Sequence, residues 1–408
     1  MSLSKQKNHW SLFLVLIIAF LFLFVTQSFV TYRFLAEPRT GANDYYSRWA
    51  GARALLIEDR NPYDLSVTLE IQEVIRINPE EVGRGGFHYP LHVIFLFFPL
   101  VYLPYPWAQA VWQTVIVWFA VGTASLIFMR EGWKPKPLGL LGVLLATVFL
   151  YPIARTVLLG QFTIHVTFFI ALSLLLLQKE RDGWAGIALA ATSVKPQLAV
   201  FAGLWLVVWV LCQKRYRFIW GVLGGGLLFF LATTAVYPRW IISFIEDMQR
   251  YADVAGGRNP LLVMTELLGL GETQILHYIL STLLLSVMLY SWWRARHDDG
   301  VLFNLAVYWS LLVTAVVPFQ TGTTNQAILL IPLLAGIYQL TKRWGGWKTA
   351  VLTILIITSL WVLFGITISG NYEHQIMFLP IPFLVLIGLV AAEWQLYQSK
   401  HSVSQPAA

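Results

Sequence analysis

Cysteine is almost missing from this sequence. Cys212 stands alone among 408 residues, which excludes an intrachain disulfide and any multi-cysteine metal site. Its place at the end of an apolar run reads as packing. Charge is scarce as well: only 12% of residues are Asp, Glu, Lys or Arg, about half the usual share for a soluble domain. No GxSxG, P-loop or GxGxxG stands in a strand–helix context, so the signatures of a serine hydrolase or a nucleotide-binding fold are missing. There is no strong internal repeat of the transporter kind. No low-complexity tract appears beyond a polar tail at residues 399–408.

What fills the space is apolar: 57% of the residues are hydrophobic. That composition makes the chain an all-α polytopic membrane protein, read as one membrane domain over residues 1–398. The net charge of +7 invites a nucleic-acid partner, but the basic residues lie in short clusters between apolar runs, as topology signals do. The expected surroundings are membrane lipids, with no nucleic acid.

The first apolar run, Trp10 to about Thr31, follows Lys5, Lys7 and His9. It is too long for a signal core and is expected to stay as a start-transfer helix. A polar segment, Glu37 to Tyr89, comes next. Pro90 to Leu103 then forms a short apolar piece, bounded by Pro104 and Pro106, which either lies in the interface or re-enters. Candidate spans follow at about 107–129, 138–157, 162–178, 218–236, 274–292, 301–317, 325–341, 349–368 and 376–396.

The piece from Trp184 to Leu211 decides the topology. Lys195-Pro196 divides it into runs rising only about 16 and 24 Å, against a hydrocarbon core of about 30 Å. Basic clusters flank it, at Gln178–Asp182 and Cys212–Arg217. If the piece crosses once, Lys214, Arg215, Arg217, Arg294, Arg296, Lys342, Arg343 and Lys348 all fall outside. If it turns back they are all cytoplasmic, which the positive-inside rule favours. The hairpin reading gives about 12 membrane-embedded segments, with both termini cytoplasmic and Lys195 the single lysine away from that side.

Two stretches carry chemistry. In Gly41–Asp64, Asn43-Asp44 reads as an N-cap and Tyr45–Ile57 as a short helix, stopped by Asn61-Pro62. Asp44 and Arg48 share a face, and Arg53 points away. Asp44 either caps the helix or grips a polar substrate beside Arg48 and Tyr45. Lys195, at the tip of the hairpin, is costly inside a membrane segment and marks function by default. The alternative is a snorkelling or structurally paired lysine.

Weaker candidates surround these. Gly160-Gln161 sits in an outer turn with Arg155 before it and His165 beyond. Gln161 suits a sugar hydroxyl or phosphate oxygen, or simply closes the turn. His88 and Tyr89 end the polar segment as interfacial anchors or substrate contacts. His92 follows His88 at i+4, but no carboxylate stands at zinc-ligand spacing. Glu246, Asp247, Arg250, Asp253 and Arg258 read as a solvated outer helix.

Taken together, these motifs resemble family 87 glycosyltransferases. The resemblance rests on Asp44 with its Ala/Gly-rich helix, Asn61-Pro62-Tyr63-Asp64, His88-Tyr89-Pro90-Leu91 running into Pro99 to Pro106, Gly160-Gln161 and Lys195-Pro196. It covers roughly residues 10–340. The family implies the GT-C architecture, with a helical first outer loop over residues 37–89 and the active site at the outer surface. It implies a polyprenyl-phosphate sugar donor, a mannose- or arabinose-like sugar, and a lipid-linked or glycan acceptor in the cell envelope. Asp44 maps onto the catalytic base. One departure is that Pro318–Gln326 lacks the histidine that mycobacterial members carry in this late stretch; Asn325 and Gln326 stand there as substrate contacts.

The expected reaction is inverting, with Asp44 as base and Lys195, helped by Arg48 or Arg155, neutralising the leaving phosphate. Asp44 and Lys195 are expected to converge on one lipid-accessible cleft. No metal and no cofactor is expected. A transporter or flippase for a lipid-linked sugar or another anionic substrate is the rival reading.

Overall fold

A computed structural model describes residues 2–76, 85–254, 259–270, 274–318, 321–370 and 373–402. Arg258, read as part of a solvated outer helix, and residues 403–408 of the polar tail lie outside them. Among the described residues every regular element is a helix. In chain order these are α1 (Ser2–Thr31), α2 (Asn43–Leu56), α3 (Leu65–Ile75), α4 (Tyr105–Glu131), α5 (Pro137–Phe149), α6 (Tyr151–Leu159), α7 (Thr163–Gln178), α8 (Asp182–Ala190) and α9 (Val200–Cys212). They continue with α10 (Arg217–Val236), α11 (Trp240–Val254), α12 (Pro260–Leu267), α13 (Gln274–Ala295), α14 (Val301–Val316), α15 (Leu330–Trp344), α16 (Gly346–Thr367) and α17 (Pro380–Ser402). In lipid the backbone must satisfy its own hydrogen bonds, and a helix does so within each segment. Among the described residues six helices are long and apolar enough to cross a membrane, and α7, α9 and α14 are shorter apolar helices. The chain is an all-α polytopic membrane protein.

The run expected as one span at 138–157 is broken. α5 and α6 meet at a bend of 59°. Leu150 leaves helical geometry at ψ 127, and Pro152 removes an amide donor and crowds the preceding turn.

The chain separates into two compact units. The first comprises residues 1–88, 93–118 and 157–161. Within it, α2 and α3 pack through Ala54, Val67 and Ile71. The short apolar piece after Pro90 is neither a span nor a plain loop. It forms two 3-10 segments, Leu91–Leu96 and Phe98–Tyr102. The second ends in carbonyls that α2 satisfies: Trp49 Nε1 donates to Leu100 O at 3.0 Å and Arg53 Nη1 to Val101 O at 2.9 Å. This gives Arg53, on the side of α2 away from Asp44, a structural task.

The second unit comprises residues 89–92, 119–156 and 162–408. It contains the hairpin. Arg215 grips Asp182 with Nε and Nη2 and donates from Nη2 to Leu177 O at 2.8 Å. The loop after α9 is thus bonded to the start of α8, so the chain returns to the end it left. Trp209 Nε1, near the end of α9, donates to Asp298 O at 2.7 Å, and Gln178 Nε2 donates to Arg130 O at 3.0 Å. The basic clusters gather at this end, while Lys195 sits at the tip, where Pro196 starts a single 3-10 turn.

α8 lies against α10 with backbones almost touching. A Cβ on Gly186 would fall 2.1 Å from Phe218 O, and one on Gly221 2.1 Å from Gly183 O. Small residues let membrane helices approach this closely and gain dispersion contact. Gly186→Leu is therefore expected to cost about 3 kcal/mol or more. It should reduce the yield and thermal midpoint of monodisperse protein in detergent. Gly224→Leu, where a Cβ meets nothing within 4 Å, is the control that should leave both unchanged.

Candidate active site

In the first unit, Asp44 lies in the first turn of α2 and is partly buried. It is not the cap expected from Asn43-Asp44. The cap position is Ala42, in left-handed geometry at φ 51, with no side-chain cap bond. Ala42 O accepts from Tyr45 N at 2.8 Å and Tyr46 N at 2.9 Å, and the helix starts at Asn43, two residues before the expected Tyr45. A non-glycine residue in this region costs of order 1 kcal/mol. Long-range bonds hold it there: Tyr105 Oη donates to Gly41 O at 2.7 Å and Ala42 O at 3.0 Å, and Gly41 N donates to Gln109 Oε1 at 3.0 Å.

Relieved of capping, the Asp44 carboxylate is oriented from the side. Gln161 Nε2 donates to Asp44 Oδ2 at 2.7 Å. Gln161 is placed by the turn before it. Trp112 Nε1 donates to Gly160 O at 3.0 Å, and Gln113 Nε2 to Val157 O at 3.1 Å. Gly160 has φ +71, and a Cβ there would lie 2.5 Å from Tyr45 Cβ, so glycine is required on both counts. Arg48 is buried and bonds the backbone of the same residue, Nη1 to Asp44 O at 2.8 Å. It thus steadies the turn that carries the carboxylate.

Tyr45 is placed differently from the expected substrate contact. Its ring is fully buried, stacked on Trp112 with centroids 5.2 Å apart and edge-on to Phe97 at 5.5 Å. Burial raises its phenol well above the ordinary range. His88, also in the first unit, has φ 42 and accepts at Nε2 from Gly86 N at 2.8 Å, which closes a local turn.

In the second unit, Lys195 is 7% exposed. Its Nζ donates to Asn325 Oδ1 at 2.8 Å and to Thr163 Oγ1 at 3.3 Å. Thr163 Oγ1 lies 3.4 Å from the same Asn325 oxygen, and Asn325 Nδ2 donates to Thr321 Oγ1 at 3.4 Å. These two bonds fix the ammonium against an amide oxygen and a hydroxyl at the tip of the hairpin.

The remaining candidates in this unit have structural partners. Tyr89 packs beside Phe162, centroids 5.4 Å apart. Gln326 is buried and donates from Nε2 to Phe378 O at 2.7 Å. Arg155 faces a carboxylate that belongs to none of the sequence motifs: its Nε lies 3.4 Å from Glu373 Oε2. Glu373 carried no motif; its only signal is that it is the acid in a short turn between two spans. His92 has partners of another kind than a metal: its Nε2 is 2.9 Å from Ser193 Oγ and its ring stacks on Phe229. Among the described residues no three His, Cys, Asp or Glu side chains group in a way that could hold a metal ion.

Comparison with known proteins adds one match. The family model described as Glycosyltransferase family 87 matches residues 87–319, more than half of the 408-residue chain. No curated protein and no solved structure matches it.

Proposed function

The chain belongs to glycosyltransferase family 87, and from that premise we propose that it transfers a mannose- or arabinose-like sugar from a polyprenyl-phosphate donor to a lipid-linked or glycan acceptor. The reaction takes place at the extracytoplasmic face of the cell membrane, with inversion at the anomeric carbon.

A lipid-phosphate sugar stays anchored by its chain, so its scissile C1–O bond lies near the headgroup plane. The acceptor hydroxyl attacks C1 from the face opposite the phosphate. Asp44 takes the hydroxyl proton as the new C1–O bond forms. The bond from C1 to the phosphate oxygen breaks, and its electron pair leaves with polyprenyl phosphate. Lys195 meets the charge that grows on that phosphate in the transition state. Arg48 serves Asp44 through its backbone, and Arg155 stays with Glu373.

The observation that carries this reading is the state of Asp44: a carboxylate spared from capping its helix and oriented by the Gln161 amide at 2.7 Å. The decisive experiment incubates purified protein with a panel of polyprenyl-phosphate sugars and an envelope lipid extract, and identifies the product by mass spectrometry. Extension of a lipid or glycan by one sugar, with release of polyprenyl phosphate, is expected. Movement of radiolabelled donor across proteoliposomes without bond cleavage would replace the transferase reading with a flippase.

A further inference from the structure

Glu373 has no part in the chemistry above, yet side chains from two distant stretches of the chain meet at its carboxylate. Tyr151 Oη donates to Oε2 at 2.6 Å, and Arg155 Nε lies 3.4 Å from the same oxygen. Thr323 Oγ1 donates to Oε1 at 2.6 Å. The Arg155 and Glu373 side chains are 17% and 15% exposed, so solvent screens the pair less than a rim contact. A structural ion pair needs no more than this, but the position of Thr323 gives the cluster a further consequence.

Thr323 opens the 3-10 segment Thr323–Leu329, which also carries Asn325. The carbonyl of the intervening Thr324 lies 3.4 Å from Thr156 Oγ1, within donating distance. Two consecutive residues of α6 therefore hold the two residues before Asn325, Arg155 through Glu373 and Thr156 directly. Asn325 Oδ1 in turn accepts from Lys195 Nζ at 2.8 Å. All these groups belong to the second unit.

We infer that Glu373 is a positioning residue for Lys195: by holding Tyr151, Arg155 and Thr323 it fixes the Thr321–Asn325 segment, and so sets where the ammonium meets the donor phosphate. This rests on the donor-phosphate role of Lys195 proposed above. An amide oxygen that shifts by a few tenths of an ångström weakens a charge-assisted bond steeply, because such bonds are short and directional.

The test is donor and acceptor kinetics on purified full-length variants. Glu373→Ala should raise the donor KM about tenfold, the change carried by one weakened charge-assisted bond, and leave the acceptor KM unmoved. Thr323→Val, which removes only the hydroxyl, should shift the donor KM in the same direction. Glu373→Gln keeps an oxygen for Thr323 and should recover most of the loss. In a Lys195→Met background, Glu373→Ala should add nothing, since its effect passes through the lysine. An equal further loss in that background, or equal rises in donor and acceptor KM, would overturn the inference. If Lys195→Met raises the donor KM and Glu373→Ala does not, the inference fails while the role of Lys195 stands. An unchanged donor KM in Lys195→Met itself sinks the role of Lys195 first, and the inference with it. Should Glu373→Ala not be recovered folded, Thr323→Val decides by the same measures.

Discussion

Asp44→Asn is expected to lower the turnover of sugar transfer by about 10³-fold, within the range that a positioned general base contributes. The amide matches the carboxylate in shape, and its oxygen still accepts from Gln161 Nε2, so α2 and the turn at Gly160 should keep their arrangement. Asparagine cannot take the acceptor proton at neutral pH. Donor affinity, read by equilibrium binding, should change by less than about threefold, because the lost function belongs to the transition state. Asp44→Glu keeps the charge but moves it by one methylene, and should fall between the two. Near-normal turnover in Asp44→Asn would remove Asp44 from the chemistry and return it to the role of a helix-turn residue.

Lys195→Met carries the second large effect, and it separates function from architecture by sign. An ionised group in a membrane segment costs at least about 2.5 kcal/mol on the mildest scale. Methionine fills a similar volume without that cost, though it leaves Asn325 Oδ1 short of a donor, a penalty of about 1–3 kcal/mol. The two terms roughly offset, so the thermal midpoint in detergent should hold or rise. The donor KM should increase by about 10- to 100-fold, the value of losing a charged hydrogen bond to phosphate. A lysine kept only for structure gives the opposite pattern, with a lower midpoint and unchanged donor kinetics. That result would dismiss it from the mechanism.

Much of the fold was legible because lipid imposes strict rules on a chain. Apolar runs of sufficient length marked the long spans, and the paired basic clusters at Gln178–Asp182 and Cys212–Arg217 announced a hairpin before Arg215 was seen to grip Asp182. Lys195-Pro196 marked the tip, since a charge and a missing amide donor rarely share an apolar run without purpose. The bend before α6 was hidden because Pro152 lies within a run of ordinary hydropathy.

The local chemistry was harder to read wherever the deciding partner is distant in the chain. Asn43-Asp44 looks like a cap until Tyr105 and Gln109 draw Gly41 and Ala42 into another geometry, from more than 60 residues away. Tyr45 looks like a ligand-facing aromatic until Phe97, Tyr105 and Trp112 enclose it. Glu373 is silent in sequence because Tyr151 lies 222 residues before it. Periodicity and spacing report on neighbours within a turn or two, and these contacts are set by tertiary packing.

The Arg215 clasp also bears on biogenesis. α8 has nine residues and α9 thirteen, rising about 14 and 20 Å, so neither bridges a core of about 30 Å by itself. A nascent chain must therefore deliver both to the lipid as one unit. The residue that fastens them is the last of the set to leave the ribosome. Asp182 therefore meets its guanidinium partner only once both short helices have been made, so the clasp closes the hairpin last.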